Sequence, residues 1–322
     1  MVGAEPLRGV GTAAVTTVAA IDCGTNAIRL LVAEVGPDGT LTDRMRLMRT
    51  VRLGEGVDRT GAFAESALTR TFAAVDEYAA IISTHDVERV RFVATSASRD
   101  VSNRTVFVDG VRSRLGVDPE VISGQEEAAL SFAGAVGGLP PGLAERPTLV
   151  VDIGGGSTEF VLGDGQPAAS VSVDIGCVRM TERHLHGDPP TTAEVMAAQA
   201  DIDAAVARAA AAVPLREAAC FVGLAGTVTT VAAMALDLPE YDPSILHGSV
   251  VSTAAVEDVT TRLLAMSRAD RAALPYMHPG RVDVIGAGAM VLRTAMGAAG
   301  AAEVIVSETD ILDGIAYRLG AR

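Results

Sequence analysis

Residues 150–160 read VVDIGGGSTEF: an aspartate at the end of an apolar run, then three glycines, a serine, a threonine and a glutamate. The run before Asp152 has the composition of a buried strand. Gly154, Gly155 and Gly156 lack a Cβ, so successive backbone N–H groups can converge on one anion, and Ser157 and Thr158 add hydroxyl donors. A carboxylate beside such a cradle repels phosphate unless a divalent cation lies between them. Mg2+ suits that role, because it takes one or two carboxylates together with water and phosphate oxygens. The bland alternative is an ordinary turn, for which glycine is the default residue.

The chain contains a second copy of this layout. VAAIDCGTNAIRLLVAEV (18–35) and TLVVDIGGGSTEFVLGDG (148–165) each run from an apolar strand through Asp and a Gly/Ser/Thr turn into a second apolar strand. Two hairpins whose aspartates, Asp22 and Asp152, stand 130 residues apart predict two similar domains, each opening on such a hairpin. The matching pair also weakens the ordinary-turn reading.

Strands and helices alternate through the rest, which predicts an α/β protein. A helix is expected over 64–85, with Leu68, Phe72, Val75, Tyr78 and Ile82 at helical spacing. Residues 119–136 read as a short strand, a glycine turn and a helix with Glu126 and Glu127 in its first turn. In the second half, 171–180 reads as a strand with a glycine turn and 192–212 as a helix. The stretches 220–236 and 281–300 each read as strand, glycine loop and helix. GLPPGLAERP (138–147) has linker composition, so the first domain is placed at 17–137 and the second at 146–306, with 1–16 a flexible leader.

Composition removes several chemistries. Lys and Arg total 26, and every one is arginine, so a P-loop, a lysine Schiff base and a kinase-type phosphate lysine are excluded. Phosphate must be handled by arginine, backbone N–H groups or a metal. A net charge of −14 with no tryptophan argues against DNA and against a base-stacking surface. Cys23, Cys177 and Cys220 are far apart and odd in number, which fits small buried residues in a reducing cytoplasm. The uncharged stretch 219–236 is long enough to span a bilayer, but the Gly/Thr turn at its centre argues against a membrane segment. The five histidines show no ligand spacing and read as structural.

DCGTNAIRL, DIGGGSTEF, GLAGTVTT and GAGAMVL occur in that order and resemble the phosphate and nucleotide motifs of the acetate and sugar kinase, heat-shock chaperone and actin superfamily. Within it, IDCGTNAIRLLVAEV, RLGEGV, ATSASRDVSN, VISGQEEAALSFAG and VVDIGGGSTEF resemble the exopolyphosphatase and guanosine pentaphosphate phosphohydrolase family, in its short two-domain form. The resemblance runs over about residues 18–319. It implies two ribonuclease-H-like (actin-like ATPase) domains with a cleft between them, the last helix, from Ser307, packing back on the first domain. It also implies a homodimer that removes terminal phosphate from inorganic polyphosphate or guanosine pentaphosphate with Mg2+ or Mn2+.

In SGQEEA either glutamate can face inward as a general base, since neighbours point about 100° apart round a helix. The resemblance assigns water activation to Glu127, with Glu126 the fallback, and a phosphate clamp to Arg99. It further implies phosphate contacts from Gly24, Thr25, Asn26, Arg52, Asn103, Gly154, Gly155, Gly156, Ser157, Thr158, Gly226 and Thr227, and metal contacts from Asp22, Asp152 and Glu159. Arg29 is a weaker candidate that can simply lie on its hairpin. Ala27 departs from the family pattern, which has serine there, and removes one hydroxyl donor. A non-catalytic sensor of guanosine tetra- or pentaphosphate and an ATP-dependent kinase of the same fold are the rival readings.

Overall fold

The computed structural model describes residues 15–99, 101–139 and 146–321. Five strands form the first sheet: β1 Thr16–Cys23, β2 Ala27–Val35, β3 Leu41–Thr50, β4 Arg89–Ala94 and β5 Glu120–Val121, in the order β3-β2-β1-β4-β5. Six form the second: β6 Thr148–Ile153, β7 Thr158–Gly163, β8 Pro167–Val173, β9 Cys220–Leu224, β10 Val250–Ser252 and β11 Glu303–Val306, in the order β10-β11-β9-β6-β7-β8. In each sheet an antiparallel meander of three strands is followed by a parallel strand on the other side of the first. The registers coincide as well. Asp22 pairs with Arg29 in the first hairpin, and Asp152 with Glu159 in the second.

The second sheet and its helices share one large apolar core, and the first sheet packs its own against the Glu65–Ile82 and Arg104–Leu115 helices. Two further helices join the halves. The Ile311–Gly320 helix buries Ile311, Leu312, Ile315 and Leu319 against Val18, Ala20, Leu31 and Val93 of the first sheet. The Gly124–Gly138 helix inserts Leu130 into that same cluster and turns Ala128, Phe132 and Ala135 toward Val150, Val161 and Val222 of the second sheet. These helices cross closely enough that a Cβ on Gly134 would lie 1.7 Å from the Asp310 carbonyl oxygen, and one on Gly314 2.0 Å from that of Leu130. Lying between the sheets, the Gly124–Gly138 helix brings its first turn, with Glu127, into the cleft.

Several local expectations change. Residues 281–284 form turns, and the Ile285–Ala299 helix follows without a strand. Its glycines serve close packing rather than a loop: a Cβ on Gly288 would meet Thr227 Oγ1 at 2.5 Å. No loop separates β9 from the Ala225–Ala235 helix, so Gly226 and Thr227 lie in its first turn. The glycine turn at 174–176 leads from β8 into a helix, Cys177–His184. Thr16 already belongs to β1, while the rest of the expected leader, except Val15, lies outside the described residues. Gly138 ends a helix, and 140–145 of the expected linker also lie outside them.

Candidate active site

The two hairpin tips meet across the cleft and form a cavity of about 120 Å³. Gly24, Thr25 and Asn26 line it from one jaw, Gly154, Gly155, Gly156 and Ser157 from the other, with Gly226 and Thr227 at the helix start beside them. The jaws approach this closely only because the second is glycine. A Cβ on Gly156 would fall 2.6 Å from Thr25 Oγ1 and 2.7 Å from Ser96 Oγ.

Hydrogen bonding turns the cradle outward. The carbonyl of Gly154 accepts from Cys177 N, and that of Gly155 from Val178 N and Arg179 N, all in the first turn of the Cys177–His184 helix. The Gly156 carbonyl accepts from Arg179 Nε at 2.7 Å. In a planar trans peptide the N–H points opposite to the C=O it shares a plane with. Pinning these three carbonyls therefore aims the N–H groups of Gly155, Gly156 and Ser157 the other way, and none of them meets an acceptor among the described residues. The first jaw repeats the pattern in one peptide, the one that joins the Thr25 carbonyl to the Asn26 N–H. Gly54 N donates to the Thr25 carbonyl, and Val51 N and Arg52 N donate to that of Asn26, while the N–H groups of Thr25 and Asn26 stay open. Open N–H groups on both jaws, those of Gly155, Gly156, Ser157 and Asn26 with the carbonyl of the same peptide tied back, make a candidate anion site.

Three carboxylates line it, Glu127, Asp152 and Asp22, and a fourth, Glu159, stands behind Ser157. Glu127 is 8% exposed, and its Oε2 accepts from Arg99 Nη1 at 2.7 Å. Burial pushes Glu127 up to about 7, with Arg99 pulling it down and Asp152 and Asp22 pushing it further up. Asp152 is raised to about 6 by burial, against the hydroxyl of Ser131, which donates to its Oδ2 at 2.7 Å. Asp22 is raised by burial and pulled back by Arg29, which donates to its Oδ2 at 2.6 Å and pairs with Asp310 as well. Oδ1 of Asp22 is buried without a partner among the described residues. Glu159 is the most enclosed of the four: its Oε1 accepts from Ser157 and Ser172 at 2.7 Å each, and burial, then the charges of Glu127 and Asp152, push it well up.

No group of three or more His, Cys, Asp or Glu side chains is arranged to hold a metal among the described residues. The oxygen donors of Asp22 and Asp152 on the cavity wall, one of them orphaned, nevertheless fit a small hard cation that completes its shell with water and phosphate oxygens.

Not every sequence candidate reaches the cavity. Asn103 stands apart, its amide engaged twice by the Phe63 backbone at 2.9 Å, so it clasps two segments instead of a phosphate. Thr158 is buried with its hydroxyl on the Ile175 carbonyl at 3.1 Å. Glu159 lies behind Ser157, and Arg52 pairs with Asp283 at 2.8 Å; neither lines the cavity. Arg99 also stands behind the wall, on Glu127 and, at 3.3 Å, on Ser157 Oγ. The fallback, Glu126, faces away and pairs with Arg91 at 2.8 Å. Sequence reasoning missed Arg281, which lines the cavity with its guanidinium against Gly226, and Arg179 behind the cradle. Arg179 had one available signal, its place three residues after a glycine in IGCVRM.

A duplicated α/β core with paired glycine-rich tips and buried carboxylates in the cleft defines a two-lobed phosphate-handling protein of the actin-like class. Solved structures that it resembles carry that class further. The chain superposes on an exopolyphosphatase-like protein with a TM-score of 0.92 at 43% identity, covering 96% of this chain and 98% of the other. It superposes on the Ppx/GppA family member from Aquifex aeolicus with a TM-score of 0.80 at 29% identity, over 95% and 98%. Exopolyphosphatase 2 of Mycobacterium tuberculosis is 52% identical over 318 residues, 95% of this chain and 99% of the relative. The Ppx/GppA phosphatase family model matches residues 31–321, and the chain belongs to that family.

Proposed function

We propose that this protein is an exopolyphosphatase, releasing the terminal phosphoryl group of inorganic polyphosphate to water. The observation that carries the reading is Glu127: a carboxylate at the cavity wall, buried, raised to about 7 and held by Arg99, within the same cavity as the open N–H groups of both jaws. A group titrating near neutrality serves best as a base at physiological pH. The terminal phosphoryl oxygens take the N–H groups of the two jaws and the Ser157 side. Glu127 accepts a proton from water as its oxygen bonds to phosphorus, the bridging P–O bond breaks, and the shortened chain leaves with the bridging oxygen. Positioning and charge stabilisation supply most of the acceleration for such a loose transition state. Mg2+ or Mn2+, held by Asp22 and Asp152, supplies neutralisation of phosphoryl oxygen charge when bound.

The 52% identical relative named exopolyphosphatase 2 supports this reading. So does the modest cavity of about 120 Å³, well below the roughly 300–1,000 Å³ of sites that enclose a drug-sized ligand. It suits phosphoryl groups better than an enclosed nucleoside. The homodimer and the cytoplasmic location belong to the same proposal, and light scattering and cell fractionation test them. Among the described residues no helix is long and apolar enough to cross a membrane.

The deciding experiment measures phosphate release from polyphosphate, guanosine pentaphosphate and ATP side by side for wild type and Glu127→Gln. Polyphosphate should be the best substrate, and Glu127→Gln should lower the rate by about 10²–10⁴. Faster release from guanosine pentaphosphate would transfer the reading to that substrate. Release from none would favour a binding protein.

A further inference from the structure

We propose that Arg179 is a positioning residue of the cradle, aiming the Ser157 N–H at phosphate and making that aim depend on the meeting of the two lobes. The proposal rests on the anion-cradle reading above. Of the three carbonyls that orient the cradle, those of Gly154 and Gly155 are held by helix backbone, while that of Gly156 is held by a side chain, Arg179 Nε at 2.7 Å. The Ser157 N–H shares its peptide plane with that carbonyl, so the guanidinium sets its direction.

The far side of the same guanidinium crosses to the other lobe, where Nη1 donates to Asp58 Oδ1 at 2.5 Å. Asp58 lies on the Val57–Thr60 turn, whose first N–H donates to the carbonyl of Gly54, and the N–H of Gly54 holds the Thr25 carbonyl of the first jaw. A continuous path therefore runs from one jaw through Asp58 and Arg179 to the other. A planar fork can hold two acceptors in fixed directions, which a lysine ammonium cannot.

Arg183 supplies an internal comparison. One helical turn on, it binds the same Asp58 at 2.6 and 2.9 Å but does not touch the cradle. A plain interlobe ion pair would make the two arginines equivalent. The positioning role makes them different.

The test uses the full-length chain and phosphate release from tripolyphosphate, with melting temperatures recorded for every variant. Arg179→Lys and Arg179→Ala should lower kcat/KM about tenfold or more, as for a misdirected oxyanion donor. Arg183→Ala should stay within about twofold of wild type, since exposed pairs contribute little. Added guanidinium should restore part of the Arg179→Ala activity and none of any Arg183→Ala deficit. Arg179→Lys at wild-type rate, or equal losses at both arginines without rescue, would overturn the proposal; if Arg179→Ala does not fold, Arg179→Lys decides. A wild-type protein that releases no phosphate would instead defeat the exopolyphosphatase reading. Calorimetric binding of tripolyphosphate then carries the comparison: weaker binding by Arg179→Lys than by Arg183→Ala sustains the role, and equal binding overturns it.

Discussion

Arg99 donates from Nη1 to Glu127 Oε2 at 2.7 Å and reaches Ser157 Oγ from Nη2 at 3.3 Å, so one guanidinium joins the proposed base to the cradle. Burial raises Glu127, and Arg99 is the largest influence opposing that rise. A base at about 7 gives a rate that climbs with pH and is half-maximal near neutrality. Arg99→Met removes the opposing charge, so the ascending limb should move to higher pH as the maximal rate falls. The pH profile of kcat/KM for the two proteins checks both effects.

The same carboxylate makes stability depend on pH. Its native value, about 7, lies above the unfolded reference of 4.5, so the native state holds its proton more tightly. That contribution is complete below 4.5 and is lost as pH rises toward 7, a span on the order of 3 kcal/mol. The melting temperature of wild type should therefore fall more between pH 4.5 and pH 8 than that of Glu127→Gln, which lacks the carboxyl at that position. Parallel melting curves at the two pH values would remove Glu127 as the cause.

Gly176 lies under the cradle. A Cβ there would stand 2.2 Å from the carbonyl carbon of Gly155 and 2.4 Å from the nitrogen of Gly156, both backbone atoms. Gly176→Ala should cost about 1–3 kcal/mol, in the range for overpacking, and should depress phosphate release beyond what that loss of folded protein explains. Denaturant midpoints with activity per folded molecule measure the two parts.

The last helix is seated by glycine in the same way. Gly134→Ala would set a methyl group on the Asp310 backbone, at the cap of the Ile311–Gly320 helix. We expect a lower melting temperature, by about 1–3 kcal/mol of stability or more, with faster hydrogen exchange concentrated at 311–320. Uniform exchange across both sheets would contradict this local effect.

Chelation tests the cation. EDTA should abolish phosphate release and added Mg2+ or Mn2+ should restore it. Asp22→Asn should raise the Mg2+ concentration for half-maximal rate by about tenfold or more. An EDTA-resistant rate would remove the metal from the proposed function.

The duplicated fold was legible in the sequence because hairpins are local: strand, polar tip and returning strand lie within eighteen residues, and both copies kept their aspartate–glycine tips. That Glu127 and the glycines of the two tips share one cavity wall was legible for the same reason, since they stand in short motifs on single turns. The 281–284 segment misled because a few buried apolar residues look alike in a strand and before a buried helix, and glycine marks close packing as well as loops. Asn103 and Thr158 follow Arg99 and Ser157 closely in the chain, yet the amide of one and the hydroxyl of the other are engaged by backbone of other segments, Phe63 and Ile175. Residue type and chain position therefore determined which groups could bind phosphate. Only the tertiary structure decided which way they face, because Arg179 and Gly54 meet the two tips, and Asp58 meets Arg179, through contacts far apart in the chain, and peptide planarity turns those rear contacts into the direction of the donors in the same peptides.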